Sequence, residues 1–210
     1  MNLASGRNSF SKDTSTFAYF ESARFVCIDN DKIWIAHPYK GIYRVQLLNG
    51  KTVTKTYAKA EGIISPNGNY VFKIKNTIVL ATENGLFEYN TAKDAFEPSV
   101  YFNQLFPGKK IRYLKEDNAG NIWFVFDKII GVVDMSGAKP QTIYFPELTN
   151  KFVSGFEQVY PVDKNNVFIG GERGFYHINF EQYKKIKYPL QVQITSVKMI
   201  NDKDSLLYGG

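Results

Sequence analysis

The sequence predicts an all-β fold assembled from a repeated four-strand unit. Three observations carry this. Four segments follow one template, each unit alternates strand-like runs with turn residues, and no stretch holds a 3.6-residue apolar period over three turns. The segments are IWIAHPYKGIYRV (33–45), IVLATENGLFEYN (78–90), IWFVFDKIIGVVDM (122–135) and VFIGGERGFYHIN (167–179). Their second residues, Trp34, Val79, Trp123 and Phe168, stand 45, 44 and 45 positions apart. The glycines that follow, Gly41, Gly85, Gly131 and Gly174, stand 44, 46 and 43 apart. Four antiparallel strands repeated at this interval are the pattern of β-propeller blades.

Each unit reads in the same order. A run such as FVCID (25–29) or YLKED (113–117) alternates as a strand does. A tight polar turn follows, DNDK (29–32), KN (75–76), DNAGN (117–121) or DKNN (163–166), carrying the Asn, Asp and Gly signals of hairpins. The apolar run of the template then suits a strand buried on both faces. The short loops HPYK, TEN, FDKI and GER lead to the glycine and a third strand. The glycine belongs where positive φ or close backbone approach is needed. The Trp, Val, Trp, Phe position belongs to the core between blades. A weaker outer strand is expected in TVTKTYA (52–58), FEPSVYF (96–102) and PQTIYFP (140–146). The blades are bounded at about 23–65, 66–108, 109–153 and 154–183. Residues 1–22, with STFAYF at 15–20, fit the outer strand of a preceding blade, and 184–210 a linker into a following domain. Four units could close as a four-bladed ring; with the flanking remnant they are read as part of a larger propeller.

Composition sets further bounds. The 210 residues include 14 Tyr, 17 Phe and 2 Trp, with 44% hydrophobic and 22% charged residues, a profile opposed to disorder. The single Cys27 excludes an intrachain disulfide framework and a thiolate-clustered metal site. No run of 18 apolar residues spans a bilayer, and the start MNLASGRNSF lacks the pattern of a signal peptide. The net charge of +6 comes from 26 basic residues against 20 acidic ones. The basic residues are scattered singly rather than gathered on one face, so they read as solvated strand lysines and not as a nucleic-acid surface.

The turn and template residues together resemble a known family. The pattern D-x-x-G-N-I-W followed by a glycine, carried best by Asp117, Gly120, Asn121, Ile122, Trp123 and Gly131, resembles the two-component regulator propeller repeat of Bacteroidetes sensor proteins. The first copy keeps Ile33, Trp34 and Gly41 but has Asp29-Asn30-Asp31-Lys32 for the turn. The second has Val79 in place of Trp, and the fourth has Phe168 and Gly174. The tail YPLQVQITSVKMINDKDSLLYGG (188–210) resembles the first strands of the triple-tyrosine, immunoglobulin-like domain that follows such propellers. The wording of IWIAHPYKGIY and FYHINFEQY is similar to members with a LuxR-type helix-turn-helix output; other members carry a histidine kinase. The resemblance implies a periplasmic sensor segment of an inner-membrane-anchored regulator, self-associating through its parent, with no cofactor, nucleic acid or membrane contact of its own.

Propeller geometry sorts the loops. Numbering each blade's strands first to fourth from the centre outward, first–second and third–fourth turns share one face. Second–third loops share the other with the connections between blades, GIISPNG (62–68), FPGKK (106–110) and TNKFVSGFE (149–157). Loops on a rigid scaffold are where binding concentrates, so candidate ligand residues on this second face are His37, Tyr39, Lys40, Glu83, Asp127, Lys128, Glu172 and Arg173. Aromatic, acidic and basic groups in such loops suit an oligosaccharide or other small polar ligand; a proline-stiffened turn accounts equally for His37-Pro38-Tyr39. Catalysis is not expected. His37 and His177 lie 140 residues apart, Cys27 sits among apolar neighbours, and no nucleophile, P-loop, dinucleotide or zinc motif occurs. A glycan-active enzyme with two carboxylates and a pure protein-interaction scaffold stand as alternatives.

Overall fold

The computed structural model describes residues 2–6, 9–13, 23, 25–37, 39–49, 51–63, 68–186, 197–199 and 205–208. STFAYF at 15–20, Pro38, residues 64–67 of the first inter-blade connection and most of the 188–210 tail lie outside the described residues. An isolated hairpin, β1 (Asn2–Gly6) with β2 (Ser9–Asp13), comes first. The four blades follow in chain order.

Blade 1 is β3 (Phe25–Asp29), β4 (Lys32–His37), β5 (Gly41–Leu48) and β6 (Lys51–Tyr57), paired antiparallel in that order. Blade 2 repeats this with β7 (Tyr70–Ile74), β8 (Thr77–Thr82), β9 (Gly85–Asn90) and β10 (Ala95–Pro98). Blade 3 is β11 (Ile111–Glu116), β12 (Ile122–Phe126), β13 (Ile129–Asp134) and β14 (Gln141–Tyr144). Blade 4 has three strands among the described residues, β15 (Val159–Asp163), β16 (Asn166–Gly171) and β17 (Gly174–Ile178). The chain is therefore all-β, in a propeller arrangement of four blades. A last described hairpin, Val197–Met199 with Ser205–Tyr208, is all that the structure describes of the expected immunoglobulin-like domain.

Two outer segments differ from the sequence expectation. FEPSVYF is strand only to Pro98; Ser99 then caps the helix α1 (Val100–Leu105), its hydroxyl accepting from the Phe102 N–H at 3.0 Å. In blade 4 a short helix, α2 (Phe180–Tyr183), capped by Asn179, stands where an outer strand would be. Ring packing shows what α2 replaces. In blade 1, Trp34 lies between Tyr57 of its own outer strand and Phe96 of the next blade's outer strand, with centroids 5.3 and 5.7 Å away. In blade 3, Trp123 lies between Phe145 and Phe180, at 5.5 and 5.4 Å. Phe180 thus fills the place of a fourth-strand aromatic, and the helical turn suffices to deliver it.

The template residues differ in burial in a way that follows chain order. Trp34, Val79 and Trp123 are wholly buried between successive blades. Phe168 is half-buried: it stacks on His177 at 5.0 Å, beside Tyr160 and Phe175, which are 61% and 71% exposed. No blade packs on that face among the described residues. The repeat glycines also separate into two kinds. Gly41, Gly85 and Gly174 open their strands with positive φ, and a Cβ on Gly41 would lie 2.7 Å from the Tyr57 carbonyl. Gly131 lies two residues inside β13 with ordinary φ; its side of the sheet is filled by the Phe124 ring, 2.6 Å from where a Cβ would stand.

Candidate functional site

The two faces of the arrangement carry different chemistry. On the first–second turn face, the family-like motif of blade 3 is a closed hydrogen-bond device. One Asp117 carboxylate oxygen accepts from the Ala119 and Asn121 backbone N–H groups, and the other from the Asn121 amide and the Trp123 indole N–H, all at 2.9–3.1 Å. The Asn121 carbonyl oxygen in turn accepts from Met135 N–H at 2.8 Å, tying the turn to the end of β13. Blade 1 lacks this turn, and its Trp34 indole N–H is buried without a partner.

The same face holds a lock between blades 1 and 2. The Asp94 carboxylate accepts from Arg44 at 2.7 Å and Lys55 at 2.6 Å, and from the Tyr57 and Tyr89 hydroxyls. Burial pushes its pKa up, but the hydrogen bonds of Lys55, Tyr57 and Tyr89 and the Arg44 charge outweigh that and hold it well below the carboxylate range. These groups saturate one another, and they are structural.

The second face is presented by tight turns. His37 is 7% exposed and its Nδ1 accepts from Tyr39 N–H at 3.1 Å, which turns the Tyr39 ring outward to 73% exposure. Glu83 heads the blade 2 turn, held by the Thr82 hydroxyl, which donates to Gly85 O at 3.0 Å and accepts from Asn84 N–H at 3.1 Å. Asp127 and Lys128 both adopt left-handed φ, 44° and 65°, as a two-residue hairpin turn requires. Glu172 and Arg173 are exposed in blade 4, with Glu172 N–H donating to Lys151 O at 3.2 Å.

Of these eight residues, two meet in one pocket. Glu83 and Asp127 line a cleft of about 210 Å³ between blades 2 and 3, with Tyr70, Thr82, Lys110, Ile111 and Arg112. His37, Tyr39, Lys40, Lys128, Glu172 and Arg173 do not line it. Lys110, in the FPGKK connection that the sequence places on this face, and Arg112 are additions to the eight candidates. Lys110 ends that connection, and Arg112 lies at the register shift between Ile111 and Tyr113 in β11, so simple strand alternation does not announce its place. Among the described residues, none of Glu83, Lys110, Arg112 and Asp127 is held in an ion pair.

A larger cavity of about 760 Å³ runs between the inner strands of blades 1 to 3 and residues 155–158, which lead into β15. Phe25, Cys27, Phe72, Lys73, Tyr113, Phe156 and Glu157 are on its wall. Burial pushes the Cys27 thiol up to about 12, which leaves it a small apolar wall group rather than a nucleophile.

These sheets and their central cavity define the class of protein: a β-propeller chain with a mixed-charge cleft on its loop face. No family model matches the sequence, and no curated protein does. Solved structures do match. They include the extracellular domain of BT4673 from B. thetaiotaomicron, assigned in one structure as a hybrid two component system. That chain is 17% identical with a TM-score of 0.53, over 76% of this chain and 22% of that one. A second structure of BT4673, assigned as a one component system, gives 16%, 0.51, 85% and 25%. The extracellular domain of the hybrid two component system BT3049 from the same organism gives 16%, 0.51, 76% and 21%. Likeness at this identity establishes the fold, and the chain spans between a fifth and a quarter of each of these domains.

Proposed function

We propose that this chain is a non-catalytic, extracytoplasmic sensor segment of a membrane-anchored transcriptional regulator, of LuxR-type or hybrid two-component output, and that it binds a small polar ligand, an oligosaccharide, in the cleft between blades 2 and 3. One observation carries the reading: Glu83, Asp127, Lys110 and Arg112 converge beside Tyr70 with no ion pair to occupy them. A sugar offers hydroxyls to both carboxylates and bases, and a flat face to an aromatic ring. The fold shared with extracellular domains of signalling proteins supports the sensor role. Ligand occupancy would then bias an equilibrium between arrangements of the parent protein.

Calorimetric titration with a panel of defined neutral and acidic oligosaccharides tests this. At least one member is expected to bind, and Glu83→Ala and Arg112→Ala are each expected to weaken it by about tenfold, the loss of one charged hydrogen bond. Silence across the panel, or binding indifferent to both substitutions, overturns the assignment.

The convergence of Glu83 with Asp127 also favours a second reading, a glycan-cleaving enzyme. Both carboxylates are exposed, however, whereas a general acid needs a carboxyl kept protonated by its surroundings. New reducing ends after incubation with the panel, abolished by Asp127→Asn, would establish it.

A further inference from the structure

The cleft leaves the central cavity without a role, and that cavity sets aromatic rings beside one buried carboxylate, with Lys73 and Lys115 also on its wall. Its wall includes an aromatic run: Phe25 meets Phe72 edge-on at 5.9 Å, and Phe72 meets Tyr113 edge-on at 5.8 Å. Tyr113 is fixed by the backbone of the next blade. Its hydroxyl donates to Val159 O at 3.2 Å and accepts from Val159 N–H at 3.1 Å. At the end of the cavity on the loop face, Gly155, Phe156, Glu157 and Gln158 lead into β15 and complete the wall.

Glu157 is the unusual member. It is 6% exposed, and its Oε2 is buried with no hydrogen-bond partner. A carboxylate oxygen taken out of water without a donor or a counter-charge is costly, so such a group favours a cation beside it. The cations on the same wall do not serve. Lys73 is paired with Asp29 at 2.8 Å, Lys115 stands on the wall as well, and neither nitrogen, nor any other of Lys or Arg, lies within 4.0 Å of a Glu157 oxygen among the described residues.

We propose that the central cavity is a second ligand site, separate from the cleft, and that it takes a small organic ammonium ion. An ammonium group answers the Glu157 charge, and aromatic rings attract a cation through their negative faces while accepting its alkyl groups. A metal ion is a poorer match, since it needs several convergent ligands and no three His, Cys, Asp or Glu side chains gather among the described residues. An anion would meet the carboxylate. A neutral sugar would leave its charge unanswered.

The test uses the full 210-residue chain and two probes of one shape, choline and its uncharged carbon isostere 3,3-dimethylbutan-1-ol, titrated by calorimetry. Choline is expected to bind saturably, and the isostere at least tenfold more weakly. Glu157→Gln is expected to weaken choline at least tenfold, while Glu83→Ala leaves choline binding unchanged, so this site and the cleft fail or stand separately. No saturable choline binding, equal binding of the two probes, or choline binding untouched by Glu157→Gln or lost in Glu83→Ala overturns the proposal. If Glu157→Gln does not fold, the comparison of the two probes on the unaltered chain decides alone.

Discussion

At the scale of single residues, the most informative contrast is between two tryptophans at equivalent positions. Trp123 donates its indole N–H to Asp117, whereas Trp34 has no hydrogen-bond partner among the described residues, because only Asn30 and Asp31 join its strand to the one before, where blade 3 has 117–121. The Asp-x-x-Gly-Asn spelling was legible in the sequence because each of its side chains has a fixed task in one turn. The Asp94 lock was not legible: Arg44, Lys55, Tyr57 and Tyr89 reach one carboxylate from two blades, and no local spacing encodes that meeting. Its consequence is a pH dependence with a definite sign. The folded Asp94 pKa is depressed, so the unfolded chain takes up the proton first as pH falls. The lock therefore contributes fully above the ordinary carboxylate value, about pH 4, and is lost below it. Asp94→Asn is expected to melt lower than the unaltered chain at neutral pH, with the difference shrinking between about pH 5 and pH 3. Thermal melts across that range check it; a difference that does not change with pH contradicts it.

At the scale of elements, strands and hairpin turns were legible because two-residue periodicity and turn chemistry are local. The outer segments were harder. An outer strand packs on one side only, so its pattern is weak, and FEPSVYF reads as strand although Ser99 begins a helix. At the edge of β9 the Leu86 carbonyl accepts from Ser99 N–H at 2.9 Å, but the Leu86 N–H has no backbone partner there, and one side chain makes up for it. Asn103 accepts from Leu86 N–H at 3.0 Å and donates to Leu86 O at 2.9 Å, a side-chain copy of a strand pairing. Leu86 is 2% exposed, so losing that amide strands the buried Leu86 N–H, while Leu86 O keeps the Ser99 N–H. Asn103→Ala is expected to lower stability by about 1–3 kcal/mol, read from the urea unfolding midpoint. A shift equivalent to less than about 0.5 kcal/mol would mean that water replaces the amide without cost.

At the scale of the whole molecule, the register of the repeats determines which loops share a face, and so places Glu83 and Asp127 on one surface. It did not single out that pair from the other six candidates. A pocket depends on the angle between neighbouring blades, which is set by packing of buried rings such as Trp34 and Trp123 and leaves no trace in spacing. Lys110, Arg112 and Glu157 entered for the same reason: they sit where connections between blades bend back to the centre. Blade 4 leaves Phe175 71% exposed, where Ile42, Leu86 and Val132 of the earlier blades are buried. The most direct test of the central claim, that the loop face between blades 2 and 3 is the sensing surface, is amide chemical-shift mapping of the labelled chain during titration with the oligosaccharide panel. The account predicts perturbations gathered at Glu83, Lys110, Arg112 and Asp127. Perturbations gathered instead at the opposite turns around Asn30, Asn76 and Gly120, or none with any sugar, would contradict it.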